Sequence, residues 1–236
     1  MSGRGKLAAA VALAGLLAAC GNDPNAGIAG RKALEAVRQY SAVLLARFNR
    51  KGAPQASSAP QGTLLTPIED ALQSTDGKVL LAVIEKDNNL AIMGVAATNG
   101  AYETWETAKR ESMILKRGVL TGSRGLGYDL MSAQADETIA LLTARREGRA
   151  QRSYQFLTGT GATSTLRVSC EISKGGSERV SAGEIDVEAE AFAEICTSGP
   201  LQIQNLFWVD KAGHIVKSRQ WLSPQVGYIL FQHLRM

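Results

Sequence analysis

Polar and apolar residues alternate one by one through most of the second half of the chain. Over 165–172, Leu166, Val168, Cys170 and Ile172 share one parity, and Thr165, Arg167, Ser169 and Glu171 share the other. Successive side chains of a strand point to opposite faces, so a period of two marks a half-buried strand. The pattern returns over 184–195, where Ile185, Val187, Ala189, Ala191, Ala193 and Ile195 alternate with Glu184, Asp186, Glu188, Glu190 and Glu194. Phe192 and Cys196 sit on the charged parity there, so a bulge is needed for Cys196 to face Cys170. The EAEAFAE run would also suit a helix, but strand is the reading adopted. Further strands are predicted over 152–157, 203–210, 214–222 and 227–234. Asp210, Lys211, Ala212 and Gly213 form a hairpin turn, with Gly213 supplying positive φ.

In the first half, 79–85 and 90–97 read as a hairpin around the turn-prone Lys86, Asp87, Asn88 and Asn89. Short strands follow over 102–107, 112–116 and 119–120. Residues 122–135 read as a glycine-rich loop or short helix, and 137–144 fit helix or strand. Only 28–48 shows clear helical spacing, with Leu34, Val37, Ser41, Leu44, Leu45 and Phe48 on one stripe. That stripe reads as packing against a core rather than lying on a membrane. A short helix is expected over 67–74, with Thr66 as cap and Glu69 three residues later; 51–61 is a loop by its Pro, Gly and Ser content. The fold class predicted is mainly β: one antiparallel meander, twisted or closed into a barrel-like sheet, with an N-terminal amphipathic helix against it.

The start of the chain has a different character. Arg4 and Lys6 precede the apolar or small residues 7–19. As a helix these would span about 20 Å, too short for a hydrocarbon core of about 30 Å, so a cleaved export signal is expected rather than a membrane span. Leu17, Ala18, Ala19 and Cys20 resemble the lipobox of bacterial lipoproteins. The resemblance implies lipid on the Cys20 sulfur and cleavage just before it; the plainer alternative is a secretory signal with a chance cysteine. Several acyl chains, at about 0.8 kcal/mol per buried methylene, make a lasting anchor. Gly21 in place of aspartate favours the outer membrane in the enterobacterial sorting rule. The domains expected are a signal peptide over 1–19, a lipidated tether over 20–28 and a single β-rich periplasmic domain over 29–236.

Composition narrows the function classes. Losing Arg4 and Lys6 lowers the formal charge of +4 by two. A charge that small, with no basic cluster interleaved with aromatics, argues against nucleic acid as a partner. Of the three cysteines, Cys20 is assigned to lipid. Cys170 and Cys196 remain, and an exported compartment favours a disulfide between them over two buried thiols. Closing a loop of about 27 residues stabilises by roughly 3.5 kcal/mol in the chain-entropy model.

Three stretches together resemble a known family. They are Trp105 followed by Arg117, Gly118 and Thr121; then Gly125, Leu126, Asp129 and Leu130; then Asn205, Trp208, Val209, Asp210, Gly213, Ser218, Arg219, Gln220 and Pro224. Their order and spacing are similar to the YjbF/GfcB family of capsule and exopolysaccharide lipoproteins, with Phe207 standing where tyrosine is usual. The resemblance implies a predominantly β fold, an outer-membrane lipoprotein and no established catalytic activity.

Candidate chemistry is sparse. The two histidines, His214 and His233, lack the surrounding cysteines or carboxylates of a metal site. No G-x-S-x-G elbow is present, and Gly122, Gly125 and Gly127 have the wrong order for a dinucleotide loop. Neither metal nor cofactor is expected. Asp186, Glu188 and Glu190, about 7 Å apart along a strand, could form a glycosidase-like pair, but read more simply as a solvated face. Trp105, Trp208, Trp221, Tyr128 and Tyr154 could stack on sugar rings; core packing is the plainer role. Arg117, Arg124, Tyr128 and Asp129 form the candidate binding surface, since loops on a rigid sheet carry function. The competing structural view has Asp129 capping a helix near Leu130. The expectation is a non-enzymatic accessory lipoprotein of polysaccharide export, with the polymer or an export-complex protein as partner. A lipid-handling barrel would instead need a large apolar cavity, and a glycan hydrolase a cleft with facing carboxylates.

Overall fold

The computed structural model describes residues 62–157 and 162–236. The signal 1–19, the tether 20–28 with Cys20, and the helix expected over 28–48 lie outside the described residues. Among the described residues, twelve strands form one antiparallel sheet. β1 (Val79–Ile84), β2 (Asn89–Asn99), β3 (Tyr102–Glu106), β4 (Ser112–Lys116) and β5 (Val119–Arg124) run outward in sequence order. β6 (Leu130–Gln134), β7 (Gly148–Leu157), β8 (Thr163–Ala182), β9 (Ile185–Ser198), β10 (Leu201–Asp210), β11 (Ile215–Ser223) and β12 (Gly227–Arg235) form the other run. β12 pairs with β1 and joins the two runs, so β5 and β6 are the outer strands. The sheet curls until these edges approach, giving a nearly closed barrel. Helix α1 (Gly62–Ser74) precedes β1, and α2 (Asp136–Thr143) lies between β6 and β7.

The alternating pattern places one parity inside. Trp105, Tyr154, Phe192 and Phe207 have no exposed surface and fill the barrel with Phe231, Leu115, Leu120 and Leu130. α2 packs Ile139 and Leu142 into the same core. The other parity is also covered along part of the wall, and β11 is buried over its whole length. The cover is the distal part of the β8–β9 hairpin. Its Val180, Ile185 and Val187 join a second apolar cluster with Leu206, Trp208, Val216 and Leu230. The hairpin tip reaches the end of β12, where the Glu184 N–H donates to the Leu234 carbonyl at 2.8 Å. A Cβ on Gly183 would sit 2.7 Å from that carbonyl oxygen, so only glycine allows this approach. Beside it, α1 sets Ile68, Ala71 and Leu72 against Val79, Leu81 and Leu234. Arg235 fastens all three elements: it donates to the Leu72 carbonyl at 2.9 Å and to the Thr75 carbonyl, and pairs with Glu184.

Several expectations change. Of residues 137–144, left between helix and strand, 137–143 are helical within α2 and Ala144 is its C-cap. The short helix begins at Gly62 rather than after Thr66, because Pro67 removes one internal bond without ending the helix. β9 is a strand and needs no bulge before Cys196. The bulge lies in β8, between Lys174 and Ser177. Phe192, Glu194 and Cys196, on the parity expected to face solvent, turn into the barrel. Cys170 and Cys196 are direct cross-strand partners joined by a disulfide with S–S 2.05 Å.

An inward carboxylate must be compensated, and Glu194 is. It accepts from Arg152 Nη1 at 2.6 Å, Asn205 Nδ2 at 2.7 Å and Thr138 Oγ1 at 2.6 Å. Asn205 in turn accepts the Trp221 N–H at 2.8 Å. β7, β9, β10, β11 and α2 thus meet at one buried ion pair. Removing one partner leaves the other charge buried and unpaired, so Glu194→Ala should cost about 3–5 kcal/mol in denaturant unfolding. Glu194→Ala combined with Arg152→Met should cost less than the single change. A single variant within about 1 kcal/mol of wild type would count against this account.

Candidate functional site

In a meander, alternate turns lie at the same end of the sheet. One end of this barrel gathers the β2–β3, β4–β5 and β10–β11 turns, the start of β1, the end of β12 and the C-terminus of α2. They surround a cavity of about 370 Å³ lined by Lys78, Gly100, Glu103, Arg117, Gly118, Thr143, Gly213, His214, His233 and their neighbours. The walls touch closely. A Cβ on Gly213 would lie 2.5 Å from the Thr143 carbonyl oxygen, and one on Gly118 would lie 2.9 Å from the Ile215 Cβ. Asp210 shapes its turn by accepting the N–H groups of Ala212 and His214 at 2.9 and 2.8 Å, and it holds His214 Nδ1 at 3.1 Å.

Arg117 and Gly118 are the two central residues of the β4–β5 hairpin, at φ 47° and 84°. Positive φ at both positions is the hairpin-matched turn that favours asparagine and glycine. The Arg117 N–H is held by the Ala101 carbonyl at 3.0 Å. Its guanidinium has no ion-pair or hydrogen-bond partner among the described residues. Lys78 pairs with Glu103 at 2.5 Å. His233 is 6% exposed and stands edge-on to Trp105 with ring centroids 5.4 Å apart. Its Nδ1 has no hydrogen-bond partner among the described residues. Burial pushes its pKa down to about 4.

The other three candidate residues lie at the opposite end. Arg117 precedes β5 and Arg124 ends it, roughly 20 Å away along an extended strand. Arg117 therefore does not share a surface with Arg124, Tyr128 and Asp129. Asp129 caps a turn and not a helix, because β6 begins at Leu130. Its carboxylate accepts Ser123 Oγ at 2.7 Å and the N–H groups of Gly125 and Leu126 at 2.9 and 3.2 Å. Arg124 donates to the Leu130 and Met131 carbonyls at 3.1 and 3.3 Å. Gly122, expected in a loop, belongs to β5. Tyr128 projects outward, 60% exposed, and Arg124 is also exposed.

The remaining motif residues are structural. Trp105, Asn205 and Gln220 lie inside the barrel, and Trp208 lies under the β8–β9 hairpin. Ser218 accepts a Gln220 side-chain N–H at 2.9 Å. Gly125 takes φ 88° in the β5–β6 turn, and Pro224 follows β11. Cys170, Cys196 and Glu194 lie within 4.8 Å, but the disulfide consumes both thiols and leaves no metal ligand set. The grouping of Lys78, Arg117, His214 and His233 was missed in the sequence. Counting turns would have found it, since strand parity alone assigns them to one end.

The family model "Group 4 capsule polysaccharide lipoprotein gfcB, YjbF" matches residues 53–234. The crystal structure of the hypothetical lipoprotein YmcC from Escherichia coli K12 is similar at 18% identity and TM-score 0.62, covering 77% of this chain and 98% of that one. Two other solved structures match at 10% identity, each covering 68% of this chain and 95% of theirs. One is described as an exported protein with a YmcC-like fold from Bacteroides fragilis (TM-score 0.27). The other is described as a lipoprotein from Parabacteroides distasonis (TM-score 0.29). No curated protein sequence matches the chain.

Two outcomes follow from the geometry. Asp129→Ala should lower stability by about 1–3 kcal/mol by stranding the Gly125 and Leu126 N–H groups, while Tyr128→Ala should leave it within about 0.5 kcal/mol; thermal melts of both variants check this. His233 is neutral in the fold, whereas an unfolded histidine protonates near pH 6.5. Glu103, Lys78 and His214 are the charged or titratable groups that act on it. Stability is therefore full above pH 6.5 and falls toward pH 4, by about 3 kcal/mol in total. His233→Phe should flatten that decline between pH 7 and 4; an unchanged slope in denaturant titrations would contradict it.

Proposed function

The chain belongs to the YjbF family of group 4 capsule polysaccharide lipoproteins, and from that premise we propose a non-enzymatic accessory role in capsule or exopolysaccharide production or export. The protein is held at the outer membrane through lipid on Cys20, facing the periplasm. It binds the polymer or a secretion partner at the cavity end of the barrel. The observation that carries this reading is the convergence there of family-motif turns, Arg117-Gly118 and Asp210 to Gly213, around one cavity. No described helix is long and apolar enough to cross a membrane, which suits attachment by lipid.

The competing readings lack the features they require. A lipid carrier needs a large apolar cavity, but Trp105, Tyr154, Phe192 and Phe207 fill this barrel. A hydrolase built on the β9 carboxylates needs two of them free, and of Asp186, Glu188 and Glu190 only Glu188 makes no ion pair among the described residues. Asp186 pairs with Arg179 at 2.5 Å, and Glu190 with Arg145 at 3.0 Å and Lys174 at 3.4 Å.

Deleting the gene should lower cell-surface polymer, and the wild-type copy should restore it. A Cys20→Ala copy should take up no labelled palmitate and fail to restore polymer at equal protein level. Undiminished polymer in the deletion strain would defeat the accessory role; palmitate retained by the variant would defeat the anchor.

A further inference from the structure

Two unsatisfied groups of different chemistry meet at the barrel-end cavity. Glu103 neutralises Lys78 at 2.5 Å, so Arg117 carries the uncompensated charge of the lining side chains. Arg117 also occupies a position that disfavours it. At φ 47° a residue with a side chain costs of order 1 kcal/mol, which asparagine would lessen. Backbone strain held at a residue whose guanidinium bonds nothing among the described residues points to a partner outside them. His233 supplies the second, independent observation. It lines the cavity, is about nine-tenths buried, and its ring makes no hydrogen bond with the described residues, although buried polar groups ordinarily have one.

We propose that this cavity binds one carboxylate-bearing sugar residue of a uronic-acid type, with Arg117 holding the carboxylate and His233 a ring hydroxyl. The identification deepens the polymer-binding reading above and rests on it. A planar guanidinium matches a carboxylate through two parallel N–H donors, which fixes orientation as well as charge. A buried neutral imidazole cannot hold a second anion, but it can exchange a hydrogen bond with a hydroxyl. A bare inorganic anion would use Arg117 and leave most of the space unused. A volume of about 370 Å³ is at the lower end of the roughly 300–1,000 Å³ of small-molecule sites. The walls are set by backbone contacts at Gly118 and Gly213, so the site is formed before the ligand arrives.

The test uses the full lipidated chain in detergent and calorimetric titration with a galacturonic acid trisaccharide. Maltotriose serves as the neutral control and inorganic phosphate as the competitor. The acidic trisaccharide should bind and maltotriose should not. Arg117→Asn should raise the Kd at least tenfold while keeping or raising Tm, because asparagine suits the turn. His233→Gln should weaken binding by a smaller factor. The proposal is overturned if the acid does not bind, if Arg117→Asn binds it as well as wild type, or if maltotriose binds equally. It is also overturned if phosphate competes at equal concentration. Absent binding alongside a deletion that still lowers surface polymer removes only the site. Arginine-dependent binding alongside undiminished polymer supports the site and removes only the accessory role.

Discussion

An unpaired strand edge offers N–H and C=O groups that water or another chain will take unless the fold satisfies them. In this sheet the two edges, β5 and β6, lie side by side without a backbone ladder. Side chains bridge the gap. Ser123 Oγ accepts the Leu130 N–H at 3.0 Å, and Arg124 reaches the Leu130 and Met131 carbonyls. From across the barrel, Gln220 takes the Leu120 N–H at 2.8 Å and gives its own N–H to the Gly118 carbonyl at 2.8 Å. The motif residues Asp129 and Gln220, with the Gly118 carbonyl, are engaged in this seam. A fully bonded barrel would not need them.

Burying both faces of β11 creates a second demand, because that strand carries Lys217 and Arg219. Each is matched from a different element. Lys217 lies over the Trp208 ring at 4.0 Å and pairs with Glu178 of the hairpin at 3.1 Å. Burial still holds its pKa below the usual lysine value. Arg219 makes a two-pronged pair with Glu85 at 2.8 and 2.9 Å and stacks on Tyr228 at 3.5 Å. The covering hairpin is therefore electrostatically coupled to the wall it covers, and β1 is coupled to β11 across β12. With Glu194 and Arg152 inside, the sheet is cross-linked by ion pairs on both faces.

The strands were legible because alternation is a local signal. All six strands predicted for the second half are present, and β10–β12 agree within two residues at each boundary. What alternation could not give was direction. For β9 it separated two parities correctly, yet the charged parity faces the core near Cys196, because Arg152 from β7 and Thr138 from α2 meet Glu194 there. Those partners lie 42 and 56 residues away, beyond any local pattern. The extension of β8 to Ala182 was hidden by Gly175 and Gly176, which look like a turn but sit at a bulge. Arg117 and Arg124 seemed near because they are near in sequence; an extended strand between them makes near neighbours in sequence opposite ends in space.

The same geometry divides labour between the ends. At the β5–β6 end, Arg124 and Asp129 are engaged in closing the seam through their hydrogen bonds. At the cavity end the backbone does the holding through Gly118, Gly213 and the Asp210 turn; the Arg117 guanidinium bonds nothing among the described residues, and the His233 ring packs on Trp105 without a hydrogen bond to them. Strand β12 connects this end to the rest of the chain. It carries His233 into the cavity and, two residues on, Arg235 against the last carbonyls of α1. On the proposed anchoring through Cys20, α1 is the first described element that follows. Its clamp to β12 therefore fixes the cavity relative to α1, so the stiffness of the site does not depend on the tether being stiff.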